Sequence, residues 1–164
     1  GDLDTGQRVR PGGLVDTGRP VRRSNRRERR AVGVDFNCRA VTVSLEGQAV
    51  EGDVLVIETS EVMPSPDEVK LMLTSMGERG LLAQFDGLLV GRPQTRSHEH
   101  EPEEEGRQAY RERQWDAVKE VFFEYNSDGI AVFGLDFGHT TPIAPIPIGD
   151  TVRIDSKTET IRFL

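Results

Sequence analysis

Short apolar runs alternate with amphipathic stretches over the last two thirds of the chain. The runs Asp53 to Glu58 (DVLVIE), Phe85 to Gly91 (FDGLLVG) and Ile130 to Phe133 (IAVF) are bounded by glycine, proline or polar residues. Short apolar runs with such borders are typical of buried strands, and the first predicts a central strand buried on both faces. The resulting order of strand, helix, strand, helix, strand predicts an α/β fold.

The first amphipathic stretch has clear signals for the start of a helix. Ser65 is suited to cap it, Pro66 to occupy its first position, and Glu68 to complete a Ser-x-x-Glu capping box. Gly77 or Gly80 is expected to end it. Four residues with helical spacing form one apolar stripe, which favours a core role for the methionines over cofactor ligation: Val69, Met72, Leu73 and Met76.

The second amphipathic stretch predicts a longer helix, and the C-terminus predicts a hairpin. The helix is expected over residues 107–124, with Trp115 near the edge of its apolar side. Residues 151–155 and 159–164 alternate apolar and polar positions around a tight turn, which indicates two antiparallel strands. The expected fold class is therefore α/β, with a small mixed sheet, two main helices and a C-terminal β-hairpin.

Residues 1–39 lack such a pattern. Six of the ten residues from Val21 to Arg30 are arginine, with almost nothing to bury. We expect an irregular, Arg-rich N-terminal arm or linker, either disordered or non-native, for example translated in a wrong frame. An arm that binds RNA or another polyanion is the alternative, although residues 1–34 contain no aromatic residue for base stacking. The folded domain is expected over residues 40–164, with Ala40 to Leu45 as a short first strand.

The uneven charge bears on possible partners. Residues 1–40 hold 10 Lys/Arg against 5 Asp/Glu, whereas residues 41–164 hold 11 against 23. An acidic main body argues against a nucleic-acid surface there, because phosphate binding needs cations. Cys38 is the single cysteine and has no internal disulfide partner, which suits a reducing, cytoplasmic location. No apolar stretch has the length of a membrane span, so no membrane association is expected.

A histidine- and glutamate-rich stretch follows the second predicted strand. His98, Glu99, His100 and Glu101 are chemically able to bind a metal. However, they lack the i, i+4 spacing of helical zinc motifs, so a solvated acidic loop is favoured over a metal site. We expect no metal and no organic cofactor.

Two titratable residues follow two of the predicted strands. Glu58 ends the first, and His139 lies just past the end of the third, where glycines allow close approach. A carboxylate beside an imidazole is the orienting half of a nucleophilic triad, because the carboxylate fixes the imidazole tautomer while the other ring nitrogen acts as base. Asp136 is a rival orienting group. Spacing alone leaves open the alternative that these residues have structural roles, with their hydrogen bonds satisfied inside the protein.

Three segments resemble the C-terminal domain of the LD-carboxypeptidase family. They are VLVIETSE with its following helix, GLLVGRP, and above all GLDFGHTTPIAPIPIG with the terminal hairpin, which together cover residues 52–164. This family comprises serine peptidases that include murein tetrapeptide carboxypeptidases and microcin C self-immunity peptidases. Its Ser-His-Glu triad is shared between two domains, with the serine in an N-terminal domain. The resemblance implies that Glu58 is the triad glutamate and His139 the triad histidine.

The chain departs from the family pattern upstream of Glu58. Ser24, Ser44 and Ser60 all lack the strand-to-helix elbow that presents a nucleophile. The resemblance therefore implies a fragment or the product of a broken gene, which lacks the serine-bearing domain and is inactive alone as a peptidase. The implied partners are a peptide or peptide-like amide substrate, the serine domain and a second copy in a homodimer. The alternative is a non-catalytic remnant or interaction module that uses its basic arm.

Overall fold

The computed structural model describes residues 52–96 and 103–164 in full, and the backbone of three strands before them. All of the described strands belong to one sheet. In chain order they are β1 (Gln7–Arg8), β2 (Val15–Asp16), β3 (Arg29–Asp35), β4 (Val54–Glu58), β5 (Gly87–Gly91), β6 (Ile130–Leu135), β7 (Thr151–Asp155) and β8 (Thr160–Phe163).

The centre of the sheet is parallel and its margins are antiparallel. The spatial order is β1-β8-β7-β3-β4-β5-β6-β2, in which β3, β4, β5 and β6 run parallel to one another. The terminal strands β7 and β8 pair antiparallel with each other, as expected, and β7 joins the sheet beside β3. The expected mixed sheet with a C-terminal hairpin is confirmed. Because the carboxyl ends of parallel strands share one edge, residues that follow β4, β5 and β6 meet there.

Two helices connect the central strands. Helix α1 spans Pro66–Glu78 and α2 spans Glu104–Tyr125, with a short 3₁₀ turn at Leu82–Gln84. The expected capping box is present: the Ser65 hydroxyl accepts from the Glu68 amide (3.2 Å), and the Glu68 carboxylate accepts from the Ser65 amide (2.8 Å). The Glu68 carboxylate accepts hydrogen bonds from the amide and from the hydroxyl of Ser65, and these two bonds lower the pKa of Glu68. Neither helix is long and apolar enough to cross a membrane, among the residues that the structure describes.

Helix α2 begins earlier than the apolar periodicity predicted. Its first residue is Glu104 rather than Arg107, because Glu104 and Glu105 form its first turn, where carboxylates interact favourably with the positive end of the helix. Arg107 also donates to the Glu104 carboxylate. The acidic composition that suggested a loop is thus compatible with the start of a helix.

Both faces of the sheet are covered, as the apolar runs predicted. On one face Leu55 and Ile57 pack against the two helices, and the predicted stripe residues Val69, Leu73 and Met76 are buried there. Val54 and Val56 alternate to the other face. There they meet apolar residues of the hairpin and of the segment before it: Ile146, Val152, Ile154, Ile161 and Phe163.

The third predicted strand is longer than expected. The third predicted run ended at Phe133, but β6 continues to Leu135, with Gly134 at a φ of +76° inside the strand. The pairing register with β5 shifts between Leu89 and Gly91. Such an irregularity lets the strand continue past a glycine with an altered twist.

The segment expected to be irregular contributes backbone strands β1, β2 and β3, which the sequence did not predict. Strand β3 is the most consequential, since it pairs with β4 over five residues and places Asp35 in register with Glu58. The predicted strand at residues 40–45, Cys38 and the His98 to Glu101 stretch lie outside the described residues. Within the described ranges no cluster of three metal-ligating side chains is found.

Candidate active site

Glu58 ends the buried strand β4 and begins a tightly held loop. Its side chain is 26% exposed, and the next two residues, Thr59 and Ser60, are buried. A turn follows, in which the Met63 amide donates to the Ser60 carbonyl (3.2 Å). Helix α2 holds the far end of the loop, because Tyr110 and Gln114 donate to the Pro64 carbonyl at 2.9 and 2.6 Å.

His139 lies in the loop after β6, at the same edge of the sheet. Gly138 brings this loop against Glu58: it has a φ of +89°, and a Cβ added there would lie 1.9 Å from Glu58 Oε2. No residue larger than glycine fits this approach without moving the glutamate. The glycine before the histidine was expected to leave room for a ligand or a second domain, whereas the group that lies against it in the structure is the Glu58 side chain.

The imidazole of His139 lies between two carboxylates. Its Nδ1 is 3.6 Å from Glu58 Oε2, and its Nε2 is 3.1 Å from Glu61 Oε2. The first distance is that of an ion pair and slightly too long for a hydrogen bond, whereas the second is within hydrogen-bond range. The structure therefore brings Glu58 and His139 together, and adds Glu61.

Sequence reasoning missed Glu61. It lies in the polar stretch after β4, which was interpreted only as the end of the strand. The available signal was its position three residues after Glu58, in a loop expected at the same edge as His139. What could not be read from the sequence is that the turn starting at Ser60 carries this carboxylate to the outer ring nitrogen.

Asp136, the rival orienting group, forms an ion pair with Arg92. The distance from Asp136 Oδ1 to Arg92 Nη2 is 3.1 Å, and both side chains are mostly buried, at 20% and 24% exposure. Asp136 also accepts, through its carbonyl, a hydrogen bond from the Ala144 amide (2.5 Å). These contacts give Asp136 a role in shaping the loop that carries His139.

This arrangement is suited to proton transfer. Each carboxylate favours a proton on the ring nitrogen that it faces, so once Glu61 leaves Nε2, Glu58 favours the tautomer with a proton on Nδ1 and the lone pair on Nε2. Nε2 is then the base, and Glu61 lies where a nucleophile would have to approach it. Ser60 is the nearest serine in the chain to Glu58 but is buried, with its hydroxyl accepting from the Val62 amide (3.4 Å). Ser24 and Ser44 lie outside the described residues.

The site is open to solvent. The His139 and Glu61 side chains are 38% and 46% exposed. A recess beside Glu58, lined by Thr59 and Trp115 among others, has room for about one water molecule and cannot take a peptide.

Comparison with known families identifies the domain. Residues 35–154 match the family model of the LD-carboxypeptidase C-terminal domain. The chain belongs to this family. The resemblance based on residues 52–164 is thereby confirmed at the level of the family, and the match covers the loops of both Glu58 and His139. A comparison with curated protein sequences found no significant match.

Solved structures share the fold of this LD-carboxypeptidase domain. An MccF-like protein from Streptococcus pneumoniae, in complex with AMP, superimposes with a TM-score of 0.64 at 24% identity, over 92% of this chain and 43% of its own. A muramoyltetrapeptide carboxypeptidase from Oxalobacter formigenes gives 0.63 at 19%, over 99% and 50%. MccF in complex with glutamyl sulfamoyl guanosine gives 0.61 at 19%, over 83% and 37%. The chain thus spans half or less of these relatives.

Proposed function

We propose that this chain is the C-terminal catalytic domain of a serine-type LD-carboxypeptidase, which hydrolyses an amide bond at a peptide C-terminus. Glu58 orients His139, and His139 transfers protons. The proposal rests on the 3.6 Å approach of Glu58 Oε2 to His139 Nδ1 at the carboxyl edge of the sheet. Membership of the family supports the same assignment.

In the proposed mechanism His139 Nε2 removes the proton of a serine hydroxyl supplied by an N-terminal domain. The serine oxygen attacks the amide carbonyl, and His139 then donates the proton to the leaving amine. Water, activated in turn by His139, hydrolyses the resulting acyl-enzyme. Glu58 stabilises the imidazolium that forms at each step. Glu61 must leave Nε2 when the serine arrives, since a carboxylate binds a protonated Nε2 whereas a base must present its lone pair there.

The proposed partners follow from the same site. Val62 and Ile143 are exposed apolar residues in the loops of Glu61 and His139, and they suit contact with the serine domain or with a second subunit. The family resemblance implies that the nucleophile lies in that domain, whereas residues 52–164 retain the proposed base and its orienting group, so we expect the chain alone to be inactive. The division into an arm (1–39) and a domain (40–164), and a cytoplasmic location, remain predictions.

A chimera tests the proposal. Residues 29–164, which include β3, would replace the corresponding part of the Oxalobacter formigenes muramoyltetrapeptide carboxypeptidase, and release of the terminal residue from an L,D-peptide would be measured. An aminoacyl sulfamoyl nucleoside serves as a second substrate. We expect turnover that falls about 10²- to 10⁴-fold in Glu58→Gln and reaches background in His139→Ala. Lys70→Met, which removes an exposed ion pair with Glu120 between the helices, is the matched control and should be unaffected.

Full activity of His139→Ala in an active chimera would contradict the proposal. An inactive chimera combined with salt-dependent polyanion binding by the 164-residue chain, lost on deletion of residues 1–34, would favour the alternative of an interaction module.

A further inference from the structure

Arg92 lies between the two proposed catalytic residues. It directly follows β5, the strand that separates β4 from β6, so its backbone is at the same carboxyl edge as Glu58 and His139. Its amide donates to the carbonyl of Leu135, the last residue of β6 (2.9 Å). The backbone of Arg92 is thus fixed to the start of the histidine loop.

The Arg92 guanidinium contacts this loop on both sides of the histidine. Its Nη2 lies 3.1 Å from Asp136 Oδ1, three residues before His139. The same nitrogen donates to the Thr141 carbonyl at 3.1 Å and to the Thr140 hydroxyl at 3.5 Å, directly after it. One charged nitrogen therefore connects the two ends of the segment that carries the imidazole.

The segment from Asp136 to Thr141 lies outside the sheet, so strand pairing does not fix it. Two backbone hydrogen bonds hold its beginning: the Phe137 amide donates to the Leu135 carbonyl, and the Ala144 amide donates to the Asp136 carbonyl. Contacts on the far side of His139 come from Arg92. Because the Arg92 and Asp136 side chains are mostly buried, their ion pair is less weakened by solvent than a surface pair.

From this geometry we infer that Arg92 is a positioning residue: it closes the Asp136–Thr141 loop and thereby holds His139 Nδ1 toward Glu58. The inference rests on the proposed function, because Arg92 is said to position His139 in its role as the base. It assigns Arg92 no contact with the substrate. The side-chain contacts of Arg92 with this loop all use one of the three guanidinium nitrogens.

Nuclear magnetic resonance on the 164-residue chain tests this inference. Arg92→Met removes all three side-chain contacts while retaining an unbranched apolar side chain. Hydrogen exchange at the Phe137 and Ala144 amides should become about tenfold faster, as expected for the loss of a charge-assisted contact. Exchange at Leu88 and Leu89 in β5 should not change. The ¹⁵N shifts of His139 should show a weaker preference for the Nδ1–H tautomer.

Two further variants separate positioning from general stability. Arg92→Lys should exchange more slowly than Arg92→Met, because all three contacts converge on one nitrogen that a lysine ammonium can partly replace. Lys70→Met removes a different ion pair and should leave both the loop amides and the His139 tautomer unchanged. If Arg92→Met does not fold, Asp136→Asn removes the charge pairing while retaining Arg92, and the same accelerated exchange is expected.

Glu58→Gln distinguishes failure of this inference from failure of the proposed function. A His139 tautomer that responds to Glu58→Gln but not to Arg92→Met, with unchanged loop exchange, would overturn the role of Arg92 and leave the Glu58–His139 pair intact. If Glu58→Gln does not change the His139 tautomer, the Glu58–His139 pair is refuted. Hydrogen exchange at the Phe137 and Ala144 amides would still test the role of Arg92. Equal exchange in Arg92→Lys and Arg92→Met would contradict the positioning role.

Discussion

Gly138→Ala places a single methyl group between the two proposed catalytic residues. The added Cβ would lie 1.9 Å from Glu58 Oε2 and 3.0 Å from Glu58 Cβ and Cδ. Since a Cβ essentially never lies within 3.0 Å of a non-bonded atom in proteins, the carboxylate must move away by roughly 1 Å or more. Glu58 already lies 3.6 Å from His139 Nδ1, so this displacement should disrupt the pair.

The energetic cost has two parts that a matched control can separate. Gly138 and Gly149 have similar φ values, +89° and +94°, and an alanine at either position costs about 1–2 kcal/mol of backbone strain. A Cβ at Gly149 meets nothing within 4 Å. Overpacking against Glu58 adds about 1–3 kcal/mol at Gly138 only. The lower entropy of the unfolded alanine chain applies to both variants and cancels in the comparison.

Urea denaturation of the two variants and the parent chain measures the difference. We expect Gly138→Ala to be less stable than Gly149→Ala by about 1–3 kcal/mol, or roughly 2–4 °C in Tm for each kcal/mol. In a Glu58→Ala background the gap should shrink, because the carboxylate is gone. Equal stability of the two glycine variants, with an unchanged His139 tautomer, would refute the contact between Glu58 and the histidine loop.

Two other groups give independent predictions. Glu61→Gln should accelerate carbethoxylation of His139 by diethyl pyrocarbonate about two- to fivefold, because an exposed ion pair at Nε2 is worth up to ~1 kcal/mol. Peptide mass spectrometry would measure the rate, with His98 and His100 as internal references, and an unchanged ratio would contradict the Glu61 contact. Burial raises the pKa of Tyr110 to about 12, and a hydrogen bond to Glu78 raises the pKa of Tyr125 to about 12. Both tyrosines bind their protons more strongly in the folded chain, so the free energy of unfolding should fall as the pH rises from about 10 to 12. Phenolate absorbance of the folded chain should appear only near pH 12. Ionisation of the folded chain at the usual pKa of about 10 would contradict this prediction.

The parts of the fold with strong local signals were predictable from the sequence. Helix α1 was located by its capping residues, which act over three positions and need no tertiary context. Strands β4 and β5 were predicted because they are apolar on both faces, a pattern imposed by helices on one side and the hairpin on the other. The start of α2 was missed, since its first turn is acidic rather than apolar.

Strand β3 is an example of a strand that the sequence patterns did not predict. Its sequence, RRAVGVD, contains a four-residue apolar run from Ala31 to Val34 that was overlooked within an arginine-rich segment. Its strand state depends on pairing with β4, a contact across more than twenty residues, and not on local propensity. The available signal was this apolar run, which could pair with the buried strand predicted over residues 53–58.

Of the candidate site, only the pair of Glu58 and His139 was predictable from the sequence. Strand ends and the family resemblance pointed to Glu58 and His139, because parallel strands bring their carboxyl ends together whatever their separation in the chain. Glu61 and Arg92 depend instead on where one turn directs a side chain and how far a guanidinium reaches, which no spacing rule specifies.

Three successive parallel strands divide the proposed catalytic work. Strand β4 ends at Glu58, which carries the proposed orienting carboxylate. Strand β5 is followed directly by Arg92, which contacts the histidine loop, and β6 leads into that loop. The order explains why a guanidinium at the middle position can hold the base without blocking it: Arg92 contacts the backbone and side chains around His139, whereas both ring nitrogens face carboxylates. The inner carboxylate is held by close packing against Gly138, and the outer one, on Glu61, is the more exposed. In the proposed mechanism the outer nitrogen, Nε2, is therefore the one that a serine from another domain would contact, with the loss of one solvent-exposed contact to Glu61.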